Sequence, residues 1–238
     1  MKRLAVLITI AFSALFIFSA IQIFTINAAS RERARTQQEM AQFVEFESET
    51  SALPEVNFTA LREVNPDIVA WLYLEGTPLN LPVVQGTDNH FYLNHLFDGT
   101  RNAAGTLFVD YENSPHFRDS NTIIYGHNMR DGSMFGTLIK YSSQEFFEQN
   151  PTMLLLTPTA NYKLELFAGY TTNTLANSWQ KQFENSTEFE EWVAGRISRS
   201  DFVSSITPSF TDRLVTLSTC SYAFNNARYV LVGRLVQI

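Results

Sequence analysis

The chain has 238 residues, a single cysteine, 20 phenylalanines and a formal net charge of −7, with its basic residues dispersed. That balance gives nucleic-acid binding no support. One cysteine excludes an intramolecular disulfide and leaves a free thiol to be explained.

After Met1-Lys2-Arg3, residues 4–29 are almost continuously apolar, with Gln22 and Asn27 the strongly polar interruptions. At about 1.5 Å per residue, a helix of this length exceeds the ~30 Å hydrocarbon core. A cleaved signal has an apolar region of only roughly 7–15 residues and a small-x-small site, which Asn27-Ala28-Ala29 matches poorly. The run is therefore read as an uncleaved transmembrane anchor behind a cytoplasmic tip, residues 1–3. Arg31, Arg33 and Arg35 flank its far side, so charge alone does not orient it. A long C-terminal domain after one N-terminal span is most simply exported, so the expected location is the cell membrane, single-pass, with the C-terminal domain extracytoplasmic.

Residues 31–51 are polar and charged, with Met40, Phe43, Val44 and Phe46 at helix-like spacing. They predict an amphipathic helix, serving as a stalk or packed on the domain surface, that ends before Pro54. A short helical turn follows at 58–64, which makes 30–64 an N-terminal helical segment. Strand candidates then fall at 68–74, 81–85, 105–110, 121–127, 153–157, 162–170, 213–219 and 228–238. Phe91-Tyr92-Leu93 reads as a loop or short helix. Helices are expected at 142–149, with the capping pair Ser142 and Glu145, and at 187–200, with Thr187 and Glu190. Seven or eight short strands with helices inserted, rather than alternating, argue for a mainly β fold: a closed antiparallel or mixed barrel over 65–238.

The barrel's last two strands carry the chemistry. Cys220 ends the run Thr216-Leu217-Ser218-Thr219-Cys220, and Arg228 opens the next strand eight residues later. In an antiparallel hairpin these two residues lie side by side. A fixed cation lowers a thiol's pKa and also binds a developing oxyanion. A lone cysteine is equally what a small buried hydrophobe looks like, and an arginine opening a strand is ordinarily solvated. Among the four histidines, His90, His95 and His116 sit in polar loops suited to solvated or capping roles. His127 instead follows a strand directly, through Gly126, where catalytic residues are commonly carried. Tyr125, two residues earlier, shares its side if the strand stays regular, lining a groove or packing in the core. Ser218 and Thr219 either shape a pocket floor or are ordinary strand residues. No HExxH, Cys–His cluster, GxxxxGK[ST] or GxGxxG occurs, so neither metal nor nucleotide cofactor is expected.

With these residues in view, the chain resembles the sortases, membrane-anchored cysteine transpeptidases of Gram-positive bacteria. The match is carried by Thr216-Leu217-Ser218-Thr219-Cys220 (the family's TLxTC), Tyr125-Gly126-His127 and Arg228. It is supported by the Asn65-to-Leu72, Pro82-to-Gly86 and Gly105-to-Asp110 segments. The N-terminal helical segment and the helix inserted between 170 and 214 are similar to class B. The resemblance implies a sortase-type barrel in which Cys220, His127 and Arg228 are catalytic and Tyr125, Ser218 and Thr219 bind substrate. It implies cleavage of a C-terminal sorting motif after threonine, NPxTN-like or (S/P)PxTG-like, through a thioacyl enzyme, with transfer to a peptidoglycan amine. The alternatives are a pilin-polymerising sortase that uses a lysine amine, or a non-catalytic, membrane-tethered barrel that binds partners.

Overall fold

The computed structural model describes residues 2–45, 53–221, 223 and 225–238. It begins with one long helix, α1 (Lys2–Ala41), that runs unbroken through the apolar segment into the charged one. Within it lies a stretch long and apolar enough to cross a membrane. Its apolar side chains, among them Phe12, Phe16, Ile17 and Phe24, are exposed. A helix apolar on every face belongs inside a core or across a membrane, and none of this apolar stretch is buried against the rest of the described chain.

The helix stops at Ala41 instead of continuing to residue 51. Phe43 N–H bonds back to Met40 O at 3.0 Å, and Val44 leaves in β1 (Val44–Glu45) to pair antiparallel with β2 (Glu55–Val56). The physical reason is tertiary. β-branched Val44 suits a pleated surface, and there it is buried in a cluster with Leu61, Trp71 and Tyr92. Residues 46–51 of the expected stalk, Phe46 included, lie outside the described residues. Helix α2 (Phe58–Val64) follows, its first turn capped by Asn57, whose side chain accepts from Ala60 N–H at 3.0 Å.

The remaining strands are β3 (Ile68–Tyr73), β4 (Asn80–Val84), β5 (Leu107–Val109), β6 (Asn121–Tyr125), β7 (Thr152–Leu156), β8 (Asn161–Asn173), β9 (Leu214–Cys220) and β10 (Ala227–Gln237). They close a barrel in the order β10-β8-β7-β3-β4-β5-β6-β9. Two pairings, β4–β5 and β6–β9, are parallel and the rest antiparallel, so the barrel is mixed. Alternation along each strand sorts its side chains. Leu72, Val83, Leu107, Ile124, Val215, Leu217 and Leu231 fill the interior, whereas Val230, Val232 and Tyr170 pack outward.

Two helices join the strands, α3 (Gln144–Gln149) and α4 (Ser186–Ile197). Their caps differ from the expected ones. Ser142 belongs to a preceding 3-10 helix, Phe135–Ser142, and bonds Ile139 O, so Ser143 caps α3 by accepting from Phe146 N–H. For α4 the cap is Asn185, not Thr187. It accepts from Glu188 N–H at 3.0 Å, while the Glu188 carboxylate reaches back past the cap to accept from Glu184 N–H. Phe189, Trp192 and Val193 of α4 pack outside the barrel against Tyr170 and Val230.

Candidate active site

Cys220 is the register partner of Arg228 across β9 and β10. The hairpin closes through Ser221 N–H to Ala227 O at 2.9 Å, with Asn226 at φ +61, a left-handed position that asparagine tolerates. Parallel pairing brings β6 alongside β9, with Tyr125 opposite Ser218. Because both strands run the same way, their C-terminal ends coincide, and Gly126 N–H continues the ladder to Ser218 O at 3.2 Å. His127 therefore emerges at the Cys220 end. Glycine is required at 126 by close approach: a Cβ there would strike a Leu107 methyl and lie 2.8 Å from the Phe135 ring.

A groove of about 280 Å³ is lined by all six residues singled out in the sequence, Tyr125, His127, Ser218, Thr219, Cys220 and Arg228, together with Gly126, Asn89, Leu93 and Phe108. The free thiol of Cys220 is half-buried. His127 Nε2 is 2.8 Å from Leu93 O. A carbonyl only accepts, so Nε2 carries a hydrogen and Nδ1 is left for proton transfer. Arg228 is half-buried, donates through Nη1 to Ala227 O at 3.0 Å, and takes part in none of the ion pairs among the described residues. Among the described residues no carboxylate pairs with it at the groove. Arg213 and Arg234 lie at the far end of β9 and β10, Arg234 paired with Glu165 at 2.8 Å.

Ser218 Oγ accepts from Trp179 Nε1 at 3.0 Å, which ties the segment before α4 to the cysteine strand. The Thr219 hydroxyl is buried without a hydrogen-bond partner among the described residues. A polar hub sits behind the groove. Asp110, 5% exposed, accepts at Oδ2 from Tyr125 Oη (3.1 Å) and Asn89 Nδ2 (3.0 Å), and at Oδ1 from Lys181 Nζ (2.9 Å). Burial pushes the Asp110 carboxyl up, but the Lys181 hydrogen bond, the Glu112 N–H and the Lys181 charge outweigh it and hold the group below the usual carboxylate range. Burial, and then the Asp110 charge, push the Tyr125 phenol well up, so it stays a neutral donor.

The other histidines stand apart from the groove. His90 and His116 are exposed, and His95 stacks on Phe91 at 4.0 Å. Among the described residues no three His, Cys, Asp or Glu side chains gather as a metal-binding group. Asn89, Leu93 and the Asp110–Lys181 hub escaped the sequence reading. Phe91-Tyr92-Leu93 reads from the sequence as a loop or short helix and is a 3-10 helix, but nothing in it points to the Leu93 carbonyl, and Asn89 and Lys181 carry no local signal.

The family model of the sortase domain matches residues 72–236. The chain belongs to the sortase family. Sortases are cysteine transpeptidases, and this one is most similar to class B. It is 39% identical over 178 residues to Sortase B of Listeria monocytogenes, covering 74% of this chain and 72% of that one. It is 31% identical to Sortase B of Staphylococcus aureus across 100% of this chain and 99% of the other. The Staphylococcus aureus sortase B–substrate complex superposes with a TM-score of 0.74 at 31% identity, covering 88% of this chain and 94% of that one. The closed barrel with inserted helices thus agrees with the sequence expectation and with solved class B structures.

Proposed function

We propose that this sortase is anchored in the cell membrane by residues 4–29, with residues 1–3 cytoplasmic, 30–64 as an N-terminal helical segment and 65–238 as the extracytoplasmic catalytic barrel. It acts on surface proteins that carry a C-terminal sorting motif, NPxTN-like or (S/P)PxTG-like, and transfers them to a peptidoglycan amine. The observation that carries this reading is the convergence of a half-buried thiol, an unpaired arginine and an imidazole with a free Nδ1 on one groove.

In the proposed reaction the Cys220 thiolate attacks the threonine carbonyl, forming a C–S bond and an oxyanion. Arg228, always charged, holds the oxyanion. As the C–N bond breaks, His127 delivers its Nδ1 proton to the departing amine, leaving a thioacyl enzyme and neutral imidazole. The incoming amine attacks that thioester, His127 takes its proton, and Cys220 leaves as thiolate. Leu93 O keeps Nε2 protonated throughout, which restricts proton traffic to Nδ1. Tyr125, Ser218 and Thr219 form the substrate wall and floor, Tyr125 held by Asp110 and Ser218 by Trp179. The Staphylococcus aureus sortase B was solved as a substrate complex, and the barrel it shares with this chain supports substrate binding at the same place here.

The test is mass spectrometry of the chain incubated with NPxTN-like and (S/P)PxTG-like peptides. An acyl adduct on Cys220, absent in Cys220→Ala and released by an added amine, is expected. No adduct with any peptide, together with an ordinary slow thiol, would overturn the enzymatic assignment in favour of a tethered binding barrel.

A further inference from the structure

The second half of α1 is docked on the barrel. Ala29, Arg33, Thr36, Gln37 and Met40 recur at three- and four-residue spacing and so share one helix face. Four of them, Arg33 to Met40, line a seam whose opposite wall includes Leu81, Phe97, Thr106 and Met134. Arg33 is 8% exposed, and Thr36 and Met40 are each 5%. This face meets two separate loops. From the 94–106 loop, Asn102 Nδ2 donates to Ala29 O at 2.8 Å, and Asp98 Oδ2 accepts from Thr36 Oγ1 at 3.4 Å. From the loop after His127, Asp131 pairs with Arg33 Nη2 at 2.5 Å, and the Met134 sulfur lies 3.4 Å from Gln37 Nε2.

Both loops support the groove. The 3-10 turn Phe91–Leu93, next to the first loop, presents the Leu93 carbonyl that holds His127 Nε2. The second loop is closed by a bridge between Asn128 and Met134 and tightened by Asp131, whose Oδ1 accepts from Ser133 N–H and Oγ. It returns to the site at two points: Phe135 N–H bonds His127 O at 2.9 Å, and Asn128 Nδ2 donates to Cys220 O at 2.9 Å. The helix thus touches the supports of both residues and neither residue itself.

Packing alone does not account for an arginine here. A guanidinium taken out of water is costly unless paired, and an apolar side chain would fill the seam at no such cost. Its partner is a carboxylate on the loop that braces His127 and Cys220.

We propose that the docked half of α1 is a positioning element for catalysis: Arg33, through Asp131, sets the loop that holds His127 and Cys220 in mutual register. The inference rests on the roles proposed above for those two residues. Arg33 itself is a positioning residue, since it touches neither substrate nor thiol.

The experiment uses the full chain in detergent micelles. It compares wild type, Arg33→Met (which keeps the stem and removes the charge), Asp131→Ala, and the swap Arg33→Asp with Asp131→Arg. Single-turnover acylation by a saturating sorting peptide is read beside the peptide's apparent affinity. A displacement of about 1 Å at a reacting group costs on the order of 10²-fold, so each single variant is expected to acylate at least about tenfold more slowly at unchanged affinity. The swap is expected to recover most of that loss. A wild-type rate in Arg33→Met, or a swap no better than the singles, would overturn the proposal. If wild type forms no adduct, the enzymatic assignment has failed separately. Alkylation of Cys220 by iodoacetamide then still tests the coupling: equal rates in wild type and Arg33→Met reject it, and an altered rate restored by the swap supports it.

Discussion

The floor of the groove and its His127 wall are held by different kinds of structure. Cys220 and Arg228 are partners in a ladder of seven register pairs, flanked by fully buried Leu217, Val230 and Leu231. His127 lies beyond the last residue of β6, fixed by one carbonyl from Leu93 and one backbone bond from Phe135. A ladder distributes its geometry over many hydrogen bonds, whereas a loop depends on each of a few. Chemistry on the floor can therefore be removed without moving the fold, while the wall is sensitive to changes made around it.

The largest effects remove chemistry and leave the scaffold. His127→Ala is expected to lower the acylation rate by about 10²–10⁴-fold, the usual yield of general acid–base catalysis. Arg228→Ala should cost about 10²–10³-fold, as for other oxyanion donors, and Arg228→Lys should recover only part because its point charge lacks the planar fork. For Arg228→Ala Tm should stay within a few degrees of wild type; a large drop would show the floor to be less robust than its ladder suggests. Gly126→Ala acts on the wall instead. Its Cβ meets Leu107 and the Phe135 ring, so overpacking of about 1–3 kcal/mol is expected, with Tm and acylation falling together. Loss of one without the other in a thermal melt and single-turnover assay would separate strain from His127 placement.

The smallest effect concerns the hub behind the groove. Asp110 has a lowered folded pKa, so its ionised form contributes stability that is fully present above the unfolded value of about 3.9 and is lost as pH falls through the folded one. Tm measured from pH 7 downward should fall more steeply in wild type than in Asp110→Asn, the two curves converging below about pH 4. Parallel curves would mean that Lys181 does not hold the carboxylate in solution.

What could be read from the sequence divides along the same line. The pairing of Cys220 with Arg228 was legible because a hairpin's register is local, set by two strands and their loop. The position of His127 was legible from Gly126 and the strand before it, though its Leu93 partner, 34 residues away, was not. Lys181 and Asp110 are 71 residues apart and meet only because the segment before α4 folds back across the barrel. The end of α1 was misjudged for a similar reason: Met40, Phe43 and Val44 keep helical spacing, yet Val44 is claimed by Val56 across a strand pair. The cap of α4 moved by two residues because Asn185 competes with Thr187 for the same first turn, and Asn is the stronger cap.

The parallel seam between β6 and β9 has a consequence in time. These strands are separated by nearly ninety residues, and β9 and β10 are the last strands of the ring in chain order. Pairings so distant in sequence form late and slowly. A chain emerging from the ribosome exposes His127 long before the thiol exists and acquires Arg228 after it. The β9–β10 hairpin is local and gives the thiol its cation as soon as both strands exist, but until β6 and β9 pair, the thiol has no imidazole beside it. The order of strands thus acts as a delay that withholds the proton-transfer partner from the sulfur until the barrel around it is complete.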